Sequence, residues 1–140
     1  MAAPLRLKAV DREDLVILAS CLQDALVLVG DMVFLAEEQR FVLVANRFGW
    51  ETPGPDLARV TCGVSFGGVT SVAKRGFDRR DGDQILSLLT IQAGDGAIEL
   101  LFSGGAAIRL ETPSIQARLE DVGEAWPTQW RPSHEGATRS

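Results

Sequence analysis

Between residues 26 and 111 apolar side chains recur at every second position, in runs broken by short polar or glycine-rich stretches. Side chains of a strand alternate between two faces, so this spacing demands strands with at least one buried face. The runs are 26–36 (interrupted by Gly30), 41–45, 59–66, 69–74, 85–92, 97–102 and 106–111. Several breaks between them are too short for a crossover: Glu37-Glu38-Gln39, Gly67-Gly68, Gly94-Asp95-Gly96 and Ser103-Gly104-Gly105. Breaks of that length reverse the chain, so the sheet is expected to be antiparallel. Thr52-Pro53-Gly54-Pro55 reads as a loop, because two prolines remove ladder donors.

The flanks change period. Leu5-Arg6-Leu7-Lys8-Ala9 alternates and reads as a short first strand. Leu15, Leu18, Ala19, Leu22, Ala25 and Leu26 then follow helical spacing, which predicts a helix over about 12 to 25. Asp11 suits its N-cap, and Glu13 and Asp14 complement the dipole in its first turn. At the other end Ile115, Leu119, Val122 and Trp126 carry a second helical pattern, opened by Thr112-Pro113-Ser114 and stopped by Pro127. About seven strands between two helices predict an α+β fold. Its sheet would be a strongly bent antiparallel sheet or small barrel, because long open sheets curl to protect their edges. A C-terminal helix closing one end of the barrel, a pleckstrin-homology-like plan, is preferred. The alternative is an open antiparallel sheet with both helices on one face. Residues 1–127 form one expected domain, and the polar stretch 128–140 is expected to be a disordered tail.

Charge and residue types narrow the chemistry. Fourteen Lys plus Arg against nineteen Asp plus Glu give a net charge of −5, which argues against nucleic acid or an anionic membrane as partner. No apolar run spans a bilayer and no secretory signal opens the chain, so the expected compartment is the cytoplasm. His134 is the one histidine, and there is no tyrosine. Histidine-based metal sites and most Ser-His or Cys-His nucleophiles are thereby removed, and no cofactor or metal is expected. Asp78, Asp81 and Asp83 lack calcium-loop spacing, since the twelfth position from Asp78 is Leu89. Cys21 and Cys62 fall in apolar patterns and read as buried free thiols.

Two stretches draw attention. In Asn46-Arg47-Phe48-Gly49-Trp50-Glu51, Phe48 and Trp50 continue the preceding strand as core, with Arg47 and Glu51 as a surface pair. Arg47 and Trp50 are also the residue types that anchor protein interfaces. In "KRGFDRRDGD", residues 74–83, Lys74, Arg75, Arg79 and Arg80 are able to hold a phosphate or carboxylate, and Phe77 to stack on a ring. Asp78, Asp81 and Asp83 are interleaved and compete for the same arginines.

The segment 22–51 resembles an uncharacterised alphaproteobacterial family, the domain of unknown function 2948. The likeness rests on Leu22-Gln23-Asp24-Ala25, Gly30-Asp31, Arg40-Phe41 and Asn46-Arg47-Phe48 followed by Trp50-Glu51, and extends to about residue 126. The resemblance implies no particular activity. The expected function is a non-enzymatic binding module that holds a protein partner at an exposed sheet edge or around Arg47 and Trp50, with homodimerisation open. The alternative is an anion- or phosphorylated-metabolite-binding protein using Arg75, Arg79 and Arg80. A third reading is a carboxylate-dependent enzyme drawing on Glu51, Asp78, Asp81 or Glu99.

Overall fold

Residues 5–48, 59–78 and 80–122 are described in a computed structural model. Nine strands and one α-helix occur among them: β1 Arg6–Ala9, α1 Arg12–Cys21, β2 Leu26–Leu35, β3 Arg40–Phe48, β4 Arg59–Gly67, β5 Ser71–Arg75, β6 Ile85–Gly94, β7 Ala97–Phe102, β8 Ala107–Glu111 and β9 Ala117–Asp121. All pairings are antiparallel, in the order β1-β9-β4-β3-β2-β6-β7-β8-β5. The ends of that order, β1 and β5, do not pair with each other, so the sheet does not close.

The seven alternating runs become β2 to β8, and the short first strand is β1. Three hairpins form where the short breaks place them: β2 with β3, β6 with β7, and β7 with β8. Asp11 caps α1, its side chain accepting a hydrogen bond from Asp14 N–H at 2.8 Å. The helix ends earlier than its apolar spacing implies, because Asp24 adopts positive φ (66°) and Leu26 begins β2. Leu15 and Leu18 on its inner face join a core to which every strand but β5 contributes a buried side chain, and α1 packs against β1 and β6.

Three expectations fail. The closing helix is absent from the described residues, since 117–121 form β9 instead. Buried Ala117 and Leu119 alternate with exposed Arg118 and Glu120, and β4 and β1 take that segment between them. The pleckstrin-homology-like plan fails with that helix and with the strand count. Nor does Gly67-Gly68 make a hairpin: β5 crosses away from β4 and pairs with β8. The expected tail 128–140 lies outside the described residues.

The pairing of β2 changes along its length. Leu26 and Val27 pair with both β3 and β6 and Leu28 with β6, whereas Met32–Leu35 pair with β3 alone after a register shift. At the shift Gly30 N–H donates to Gly82 O at 3.0 Å, and a Cβ at Gly30 would stand 3.1 Å from that oxygen. Glycine suits this close backbone approach, since any side chain would press on the Gly82 carbonyl.

One charged residue lies in the interior. Arg47 continues the inward row Phe41-Leu43-Ala45 and is fully buried, which corrects its assignment to the surface. Its Nε donates to Asp121 Oδ1 at 2.9 Å, its Nη2 to Asp121 Oδ2 at 2.7 Å, and its Nη1 to the Phe48 carbonyl at 3.0 Å. Asp121 Oδ2 also accepts Leu5 N–H at 2.9 Å, while Asp121 N–H donates to Leu5 O at 2.9 Å. The pair therefore joins β3 to β9 across β4 and holds the residue that leads into β1. Removing one partner leaves a buried charge, so Asp121→Ala is expected to cost about 3–5 kcal/mol in urea unfolding. Arg47→Met/Asp121→Leu is expected to recover most of that loss. A double variant as unstable as the single one would show that the charges are not the cause.

Candidate functional site

The described members of the expected sites are engaged differently. Arg47 is spent on Asp121. Trp50, Glu51 and Arg79 lie outside the described residues. Arg75 is exposed at the end of β5. Arg80 turns back onto Asp78, its Nε 3.3 Å from Oδ1 and its Nη2 3.4 Å from Oδ2. Hydrogen bonds from the Arg80 backbone N–H and side chain hold the Asp78 carboxyl below the usual range. Glu99 and Glu111 both accept from Arg109, at 3.1 and 2.7 Å, in a cross-strand cluster exposed to solvent. Their hydrogen bonds, Glu111 first, hold that guanidinium above its ordinary value.

The structure assembles a different set. The segment that follows β4 is tied at both ends to the β2–β3 hairpin. Val69 N–H donates to Gln39 O at 2.8 Å at the hairpin tip, and Gly82 O accepts from Gly30 N–H at the far end. Gly76 fixes the turn after β5: its φ is +85°, and a Cβ would lie 2.8 Å from Ala106 Cα and Gly105 O. Between these ties β5 pairs with β8 and not with β2. Among the described residues, two strand segments, Met32–Leu35 and β5, are thus each laddered on one side only.

The interval between them is a cleft of about 350 Å³. Met32, Val33 and Phe34 form one wall, and Thr70, Ser71, Val72 and Lys74 with Phe77 form the other. The floor is core: Val29, Phe41 and Ile108 are buried, and Phe41 rests on Phe66 with ring centroids 6.4 Å apart. Met32, Phe34, Val72 and Phe77 pack against that core while remaining half-exposed to the cleft. Lys74 Nζ stands 5.8 Å from the centre of the Phe77 ring, within cation–π reach. No ion pair to a carboxylate engages Lys74 among the described residues. A concave, mostly apolar surface of this volume with a polar group at its rim has the form of a ligand-binding or active-site pocket.

Residues 5–134 match the family described as "Protein of unknown function (DUF2948)". The chain belongs to that family. Members of it share no described activity through this match, so function rests on the geometry. No curated protein and no solved structure gave a match. No helix among the described residues is long and apolar enough to cross a membrane, and no group of three or more potential metal ligands gathers among them.

Neither cysteine is in a disulfide; Cys62 is buried opposite Asp121 in the β4–β9 register, and Cys21 is half-buried. Burial pushes the Cys62 thiol from an ordinary 9.0 up to about 12, the Asp121 charge adds to the rise, and Arg47 opposes it. A thiol held protonated is no nucleophile at neutral pH. The folded state keeps this proton more tightly than the unfolded chain does. The contribution is therefore complete below pH 9 and lost as pH rises toward 12. Wild type is expected to lose more stability across that window than Cys62→Ala, measured by urea unfolding at stepped pH. Equal losses would place Cys62 in a wetter site than the fold implies.

The cleft residues were partly legible. Lys74 and Phe77 stand out in the sequence as a cation two positions and a ring five positions beyond the apolar Val72. Met32, Val33 and Phe34 read simply as strand, since nothing local announces that β5 stays away from them.

Proposed function

We propose that the chain is a non-enzymatic binding module that recognises an extended segment of a protein partner at the cleft between β2 and β5. One observation carries this: an apolar cleft bordered by two strand segments that each pair on one side only. A peptide laid along β5 gains main-chain hydrogen bonds from the free edge, while an apolar side chain enters the cleft. Lys74 favours an acidic residue beside that anchor. β5 has 5 residues and ends in Lys74-Arg75, and β1 has 4 and carries Arg6 and Lys8. Short cationic edges discourage indiscriminate strand pairing, so selectivity falls to the cleft. The reading of Arg75, Arg79 and Arg80 as an anion loop draws less support, because Asp78 engages Arg80. We place the module in the cytoplasm, where its two free thiols would stay reduced.

A displayed library of random linear peptides, panned against wild type and against a folded Val72→Asp variant, tests this reading. Peptides with an apolar anchor are expected to enrich, and to bind the variant roughly tenfold or more weakly, as loss of a buried apolar side chain implies. No enrichment, or binders indifferent to Val72, would refute it.

Self-association is the second reading, favoured by Val16 and Ile17, which are 66% and 55% exposed on α1. A sedimenting dimer that Val16→Ser/Ile17→Ser converts to monomer would support it, and a wild-type monomer would end it.

A further inference from the structure

The outward face of β1, β9, β4 and β3 carries a second groove, of about 400 Å³, distinct from the apolar cleft. Lys8, Arg40 and Arg118 line it together with Ser65, Gly67 and Gln116, and no carboxylate is among the described residues that line it. The register explains why these groups meet. Lys8 faces Arg118 across β1 and β9, Arg118 faces Ser65 across β9 and β4, and Arg40 faces Gly67 across β3 and β4. Asp121 N–H donates to Leu5 O, which makes residues 5 and 121 a hydrogen-bonded pair. Pair types alternate along an antiparallel ladder, so Lys8 and Arg118 occupy a non-hydrogen-bonded position, where facing side chains come closest.

Like charges directly opposite destabilise a sheet. Two positions along, the same strands place Arg6 against Glu120, with Nε 3.8 Å from a carboxylate oxygen. Opposite charges are thus available in this ladder, and the groove does without them. Among the described residues Arg40 has only Glu38, at 4.0 Å with both side chains more than half exposed, a contact that solvent screens and weakens. Gly67 contributes bare backbone to the floor, and a Cβ there would come 3.2 Å from Gln116 Oε1. Two guanidinium forks, an ammonium and the Ser65 hydroxyl therefore open onto one concavity in a chain whose net charge is −5.

We propose that this groove binds a small soluble ligand carrying a phosphomonoester or diphosphate. Planar forks pair bidentately with phosphate oxygens, and a compact dianion relieves the Lys8–Arg118 repulsion. The acidic balance of the whole chain disfavours a polyanion or an anionic bilayer as the ligand.

The test uses inorganic pyrophosphate as probe, at low salt, with amide NMR and thermal unfolding read together. Saturable shifts are expected at Lys8, Ser65, Gly67, Gln116 and Arg118, with a rise in the unfolding midpoint of the wild type. Lys8→Ala/Arg118→Ala is expected to bind roughly tenfold or more weakly, as loss of charge-assisted hydrogen bonds implies. Without ligand it should unfold no lower than wild type, because a repulsion has been removed. Arg6→Ala is expected to titrate like wild type. Absence of saturable shifts, equal binding by the double variant, or a double variant that unfolds lower than wild type without pyrophosphate would overturn the proposal.

Discussion

Arg47 and Asp121 meet across β4 through two parallel hydrogen bonds, with no surface of the arginine left to solvent. A guanidinium in that position is tolerable only because every direction it points in is answered, by both carboxylate oxygens and by the Phe48 carbonyl. The carboxylate is held in turn by the Leu5 amide, so β1, β9 and β3 take their places around β4 together. Cys62 sits in the same layer, opposite Asp121, and its protonated thiol fills space without adding a charge. The interior of one half of the sheet is thereby committed to structure, and the group that looked most like an interface anchor in the sequence belongs to that commitment.

The other half is held less completely. β2 is shared between two neighbours only over its first residues, and past Gly30 it keeps one. The chain from Val69 to Gly82 is secured at its two ends and along β8, which leaves β5 standing off from β2. Apolar side chains from both sides then face a space that neither fills. The cleft and the free edge have a common origin in this incomplete pairing, which is why a strand-adding ligand with one apolar anchor fits both at once.

Alternation is a local property, and β1 to β8 were legible for that reason. Pairing is local only where the connection is short, so the β2–β3, β6–β7 and β7–β8 hairpins were also readable. The Gly67-Gly68 break was equally short, yet Val69 is drawn to Gln39 and Thr70 to Glu111, and no nearby residue signals either bond. Around Leu119 two periods coexist: Ile115, Leu119 and Val122 suit a helix, and Ala117 and Leu119 suit a strand. The open edges of β4 and β1 decide between them, a tertiary choice that overrides the local pattern. Parity from Phe41 alone places Arg47 inward, but its charge argued for the surface, and the partner that reverses the argument lies 74 residues away. The family was legible in the sequence; the cleft was not.

A strand-adding ligand needs β5 and the end of β2 to be free edges beside an open cleft. Native-state hydrogen exchange, read strand by strand on the free protein, tests that most directly. Interior β3 and β4 amides are expected to exchange only through global unfolding, while part of β5 and of Met32–Leu35 exchanges faster and with little dependence on denaturant. Protection of β5 and Met32–Leu35 equal to that of β4 would mean that the two edges are bonded to each other, and the cleft would not exist as a site.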